Sequence, residues 1–258
     1  MYYPIQIPYT LGKRFAESVR YAEEVVPRFQ DFVICIWEMQ PLSEREATVD
    51  HVILADGCID LVVHFGERQI GFGGMSKTMF EDKLYLPRRY FGARLKPGAF
   101  HAATGIPATE AMDFFLPLSA IDKNFDERRF FDLPFGEAKA FFKEYVGALI
   151  AGKERGAFVP LFDKFSDNIP ASASEIYRVV GYSPKQCQRL FYRHFGLSPQ
   201  MALCVIRFQK CLEILTGRKA GSGDAMDSLN FHDRSHFIRD FKKNIGITPL
   251  ELVRKYAR

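Results

Sequence analysis

The stretch Ser183-Pro-Lys-Gln-Cys-Gln-Arg-Leu-Phe191-Tyr-Arg-His-Phe-Gly196-Leu-Ser-Pro199 aligns without gaps on Asp233-Arg-Ser-His-Phe-Ile-Arg-Asp-Phe241-Lys-Lys-Asn-Ile-Gly246-Ile-Thr-Pro249. Cys187 falls on Phe237, Arg189 on Arg239, Phe191 on Phe241, Gly196 on Gly246 and Pro199 on Pro249. Each copy reads as a helix stopped by glycine, followed by Ser or Thr as N-cap and Pro in the first position of the next helix. A unit repeated at a fixed period is one piece of supersecondary structure used twice.

At 100° per residue, Cys187, Leu190, Phe191 and His194 share one face of the first helix, leaving Lys185, Gln186, Arg189, Tyr192 and Arg193 on the other. In the second copy Phe237 and Phe241 face in, while Ser235, His236, Arg239, Lys242 and Lys243 face out. Guanidinium, amide and hydroxyl groups of this kind read base edges and hold phosphates in a major groove. A short amphipathic stretch and a turn precede each copy: Glu175 to Val180 with Gly181-Tyr182, and Ala225 to Leu229 with Asn230-Phe231. The order is helix-turn-helix, twice. Between them Met201, Cys204, Val205, Phe208, Cys211, Leu212 and Leu215 keep helical spacing, so one helix of roughly 18 residues and roughly 27 Å joins the two units. That length could set two reading helices about one DNA turn, roughly 34 Å, apart.

Charge follows the same division. The chain has 258 residues and a net charge of +4, but residues 170–258 carry 15 Lys and Arg against 7 Asp and Glu, leaving the rest acidic. A basic C-terminal third on an acidic remainder fits a nucleic-acid-binding module joined to something else.

These residues resemble the AraC family of bacterial transcription regulators. The similarity runs from about residue 170 onward and is carried most specifically by His236-Phe-Ile-Arg-Asp-Phe-Lys-Lys followed by Gly246-Ile-Thr-Pro. The resemblance implies a double helix-turn-helix that activates or represses promoters, usually as a homodimer through the other domain, with RNA polymerase as partner if it activates. It assigns base-facing positions to Lys185, Gln188 and Arg189 in the first unit and to Arg234, Ser235, His236 and Arg239 in the second. The sequence departs from the family where Tyr177 and Met226 replace a small residue and where Asn230 stands at the usual turn glycine. Gly217, Gly221 and Gly223 also weaken helix propensity before the second unit, so its first helix is expected to be truncated or mobile.

The N-terminal half alternates short apolar runs with turn residues: 32–37, 52–54, 59–65, 69–72, 83–86 and 90–95, punctuated by Asp56-Gly57, Gly73-Gly74, Pro87 and Pro97-Gly98. Such spacing predicts a sandwich or barrel-like β-domain. Residues 14–26 fit helix and strand equally. Helical spacing at 108–112 and 137–150 adds a helical layer. The fold class is therefore α+β: a β-rich sensor or dimerisation domain over 1–165 and an all-α double helix-turn-helix domain over 166–258. Asp56-Gly-Cys-Ile-Asp-Leu61, Gly92-Ala-Arg-Leu-Lys-Pro-Gly98 and Trp37 resemble, more loosely, the sensor domain of a subset of the same family, without naming a ligand.

Other chemistries fit less well. Five cysteines in an odd count with no CxxC spacing argue against a disulfide framework or a zinc ribbon. His232 and His236 stand at metal-ligand spacing with no third ligand to complete the set. Cys58, Asp60 and His64 share a strand face, which permits a nucleophilic site, yet an Asp-Gly turn leading into a strand with a buried cysteine is the simpler reading. Gly71-Phe-Gly-Gly74 lacks the rest of a phosphate loop and reads as a strand-to-strand turn. Arg88, Arg89, Arg94 and Lys96 read as a solvated sheet edge, with an anion site as the alternative. No apolar run is long enough to span a membrane and no secretory leader is visible, so a cytoplasmic protein is expected. The reading is a non-enzymatic, sequence-specific regulator that binds double-stranded DNA, needs no cofactor, and answers to a small-molecule effector or to dimerisation. The alternative is a ligand-binding or enzymatic β-domain with a degenerate helix-turn-helix interaction module.

Overall fold

The computed structural model describes residues 2–6, 13–73, 75–76, 78–113, 115–216 and 234–256. The segment that fitted helix and strand equally is each in turn: helix α1, Lys13–Ser18, runs directly into strand β1, Val19–Glu24. Strands β2 (Val33–Pro41), β3 (Ala47–Ile53), β4 (Ile59–His64), β5 (Gln69–Gly73), β6 (Phe80–Leu86) and β7 (Tyr90–Leu95) follow, and a short β8 (Phe115–Pro117) completes the set. Six of them form an antiparallel sheet in the order β1-β2-β7-β4-β5-β8, while β3 and β6 pair as a separate ribbon.

Side chains alternate across this sheet as a pleat requires. In β4, Ile59, Leu61 and Val63 are buried on one face, and Asp60, Val62 and His64 turn to the other. The first face is covered by helices α2 (Ala99–Thr104), α3 (Glu127–Asp132) and α4 (Phe135–Ile150). Phe91 of β7 meets Phe142 and Phe135 of α4 edge to face, at 5.2 and 5.6 Å between ring centroids. Of the two stripes available in α4, burial selects Ala138, Phe142, Val146 and Ile150, which leaves Phe141 exposed.

Two expectations for this half are corrected. Gly71 and Gly73 lie inside β5, not in a turn; a β-carbon at Gly71 would stand 2.4 Å from the Leu116 carbonyl oxygen, so glycine is what lets β8 lie against the strand. Arg94 and Lys96 are buried, not on a solvated edge. Lys96 pairs with Asp163 at 3.3 Å, and Arg94 stands among three carboxylates.

Beyond the β-domain, α5 (Leu161–Asp167) buries Leu161, Phe162 and Phe165. The C-terminal part consists of α6 (Ala173–Val180), α7 (Pro184–Phe195), α8 (Pro199–Leu215), α9 (Arg234–Ile245) and α10 (Pro249–Tyr256). The stretch 225–229, the turn at Asn230-Phe231, His232, Met226 and the glycines 217, 221 and 223 lie outside the described residues. One continuous buried cluster joins the sheet to Ile176, Cys187, Phe191, Phe195 and Val205, and a second joins Ile5, Val52 and Leu54 to Phe208, Phe237, Phe241 and Leu252. The helical part is thus packed onto the β-domain through both of its units.

Candidate DNA-binding faces and a cavity on the sheet

The first reading helix, α7, starts where its sequence says it should. Ser183 accepts from the Gln186 N–H while the Gln186 side chain accepts from the Ser183 N–H, a closed capping box, and Pro184 occupies the first helical position. It ends at Gly196, whose left-handed φ of 68° lets its N–H donate to the Tyr192 carbonyl. Cys187, Phe191 and Phe195 are buried, whereas Lys185, Gln186, Gln188, Arg189 and Arg193 are exposed. Gln186 therefore offers outward its amide nitrogen, since its carbonyl oxygen serves the cap. His194 is half-buried on the packed side, stacked on Phe158 at 3.9 Å and edge-on to His101 at 4.5 Å. Burial first, and then His101, holds its imidazole down to about 4, so it faces these rings uncharged.

In α9 the same arrangement returns. Phe237 and Phe241 are buried; Ser235, Arg239, Lys242 and Lys243 are exposed. Arg234 and His236 belong to the first turn of this helix, and their side chains lie outside the described residues. Gly246 closes the helix at φ 76°, matching Gly196. Between the units α8 opens with Ser198 accepting from the Met201 N–H. Its buried residues Val205, Phe208, Cys211 and Leu212 include one of the two cysteines assigned to core, while Cys204 is half-buried.

Across the sheet from the helical layer is a cavity of about 570 Å³, lined by the open face of the six-stranded sheet and by the β3–β6 ribbon. Its size falls within the range of small-molecule sites. Trp37 forms part of one wall, lying over Gly92, its partner on β7; a β-carbon there would come 2.6 Å from the indole. The indole N–H donates to Asp60 Oδ2 at 2.7 Å. Asp60 is opposite Arg94 in the β4–β7 register, and their side chains meet at 3.5 Å. Burial outweighs that favourable charge and pushes the Asp60 carboxyl up to about 6. The shared face of Cys58, Asp60 and His64 is real, since all three line this cavity. Burial drives the Cys58 thiol well above its ordinary range, so it is a poor nucleophile.

Three features of this site carry little signal in the sequence. Gln209 of α8 is buried, accepting from the Ile5 N–H at 2.7 Å and donating to the Ala55 carbonyl at 2.9 Å. The neighbouring Gln6 donates to Asp56 Oδ2 at 2.8 Å, so the cavity wall is fastened to α8. The connection between β5 and β6 carries the other two. Met75 lines the cavity and lies against Gly196, and Met79 lies against Gly246, with methyl carbons 3.2 and 2.8 Å from where β-carbons would stand. The same connection therefore reaches the ends of both repeated helices. A glutamine interrupting an apolar helix stripe was a visible cue for Gln209; nothing local marked the methionines.

Residues 176–255 match a family model described as a helix-turn-helix domain, and residues 26–117 match a domain of unknown function, DUF6597. The C-terminal third is a helix-turn-helix domain of the AraC type. The chain is also similar to an uncharacterized HTH-type transcriptional regulator, YidL, of Escherichia coli, with 30% identity over 78 residues. That match covers 30% of this chain and 26% of YidL, so the chain spans about a quarter of the length of that relative. Among solved structures, apo ToxT from Vibrio cholerae gives a TM-score of 0.41 at 9% identity over 92% of this chain and 97% of that one. Unsaturated fatty acid-bound ToxT gives 0.37 at 10% identity over 92% and 93%. Among the described residues no helix is long and apolar enough to cross a membrane.

Proposed function

We propose that the protein is a cytoplasmic, sequence-specific transcription regulator, with residues 166–258 reading double-stranded DNA and residues 1–165 sensing a small molecule or mediating dimerisation. The observation that carries this reading is the repeated helix: α7 and α9 each bury two or three apolar side chains and leave Arg, Lys and hydroxyl or amide groups exposed on the remaining surface. Arg189 and Arg239, equivalent in the repeat, suit bidentate contact to guanine. Arg193, Lys242 and Lys243 suit phosphates. Control by a ligand is supported by the cavity wall being hydrogen-bonded to α8 and by Met75 and Met79 lying against the two helix ends. The reading calls for no catalysis; Cys58, the cavity's one thiol among the described residues, is held protonated by burial.

Selection from random duplex pools at near-physiological salt tests it, with wild type, Arg189→Ala and Arg239→Ala compared by anisotropy. The expected outcome is a bipartite site with half-sites about ten base pairs apart, enriched by wild type and lost in both variants. Enrichment of one short half-site, insensitive to Arg239→Ala, would mean that only the first unit reads DNA. Absence of any enriched sequence would count against the reading as a whole.

A further inference from the structure

The cavity has an imbalance of charge. Arg94 is the one Lys or Arg among the described residues that line it. Its guanidinium already faces Glu23 at 3.2 Å, Asp60 at 3.5 Å and Asp56 at 3.8 Å, so three carboxylates share one cation. Two of these are occupied elsewhere: Glu23 accepts from the hydroxyls of Tyr3 and Tyr21, and Asp56 accepts from the Cys58 N–H and the Gln6 amide. Asp60 is different. Its Oδ2 takes the Trp37 indole, and its Oδ1 has no hydrogen-bond partner among the described residues, although the side chain keeps 19% of its surface accessible.

The imidazoles do not correct the imbalance. Burial holds His51 down to about 4, and His64 turns its Nδ1 toward Glu67 at 3.3 Å. Asp82 and Asp113 add exposed carboxylates to the lining. An incoming anion would meet these carboxylates in a poorly solvated space, where like charges are costly. An incoming cation would complete the charge that Arg94 leaves unfinished. The cavity walls carry several aromatic rings: Trp37, bonded to Asp60, with Tyr21 and Tyr90 also from the sheet, and Phe80 and Phe115 from β6 and β8. Ring faces attract cations and cover apolar bodies alike.

We propose that this cavity binds a small organic cation, a protonated amine carried on an apolar or aromatic body, whose ammonium donates to Asp60 Oδ1 while Trp37 and Tyr90 flank the body. The inference rests on reading the β-domain as a small-molecule sensor, and it gives that sensor a ligand class.

Trp37, the single tryptophan of the chain, lines the cavity and reports occupancy without any DNA present. The full chain is titrated, with tryptophan emission as readout, against three ligands of one skeleton: 4-phenylbutylamine, 4-phenylbutanol and 4-phenylbutyrate. The expected result is saturable binding of the amine, tighter than the alcohol by roughly tenfold or more, with the carboxylate weakest. Asp60→Asn should remove that preference while leaving the alcohol's affinity within about twofold. Carboxylate binding as tight as the amine, or no saturable change with any of the three, overturns the proposal. So does an amine preference that survives in Asp60→Asn. The DNA selection is scored separately. Amine binding without an enriched DNA site leaves this proposal standing and removes the regulator reading; an enriched site without amine binding does the reverse.

Discussion

Asp60 is held in a state that costs the folded protein stability. Its carboxyl is pushed up to about 6 from an ordinary 3.8, chiefly by burial, so the folded chain holds this proton more tightly than the unfolded chain does. The sign follows from linkage: the stability Asp60 contributes is fully present below pH 4 and is lost as pH rises through about 6. Asp60→Asn removes the ionisation. The variant is expected to be more stable than wild type at pH 8 by about 1 to 3 kcal/mol, with the gap closing toward pH 4. Urea unfolding at the two pH values checks this, and a variant less stable at pH 8 would show that the carboxylate is structurally required.

Helices α7 and α9 come from the same local grammar but differ in how their last turns are charged: Arg193 and the half-buried, uncharged His194 in the first, Lys242 and Lys243 in the second, where cations also complement the helix dipole. If those two lysines hold phosphates, the double variant Lys242→Ala, Lys243→Ala should weaken binding to every duplex alike. The slope of log affinity against log salt should fall by about 1 to 2. A lost preference for one base at an unchanged slope would instead place these lysines on base edges. Helix α7 was readable in advance because each of its signals is short-range: Ser183 and Gln186 are three residues apart, and the apolar spacing is that of one turn. The strands were legible for the same reason: short apolar runs between turn residues match β4, β5 and β7 to within a residue and mark part of β2 and β6, whereas the run at 52–54 catches only the end of β3. Residues 14–26 were not, because a helix that passes straight into a strand shows both periods and neither for long.

The molecule as a whole is held together by contacts that cross from sheet to helices. Gly57 and Gly98, both at positive φ, sit within contact of Phe162 and Phe195, so the two sensor motifs meet the helical part directly. Gln209 is the polar counterpart of this packing. Gln209→Ala leaves the Ile5 N–H and the Ala55 carbonyl buried without their partner, and is expected to cost about 1 to 3 kcal/mol. Because one buried cluster spans both parts, the loss should shift the urea midpoints of Trp37 emission and of helical circular dichroism together. If only the helical signal moved, the sheet and the helices would be separate folding units and the clasp would not join them.

The sequence by itself determined the helix-turn-helix order, the repeat and its exposed basic residues, the strands, and the shared face of Cys58, Asp60 and His64. Caps, periodicities and charge are properties of neighbours within a turn or a strand, and they survive in the one-dimensional record. Only the tertiary structure decided that Arg94 and Lys96 are buried, that Gly73 belongs to a strand, that Trp37 closes over Gly92 beside Asp60, and that Gln209, Met75 and Met79 tie a cavity to the reading helices. Those outcomes depend on which strand lies beside which and on residues far apart in the chain meeting across a shared core. The energies that select such pairings belong to the assembled core and leave no periodic mark on either partner.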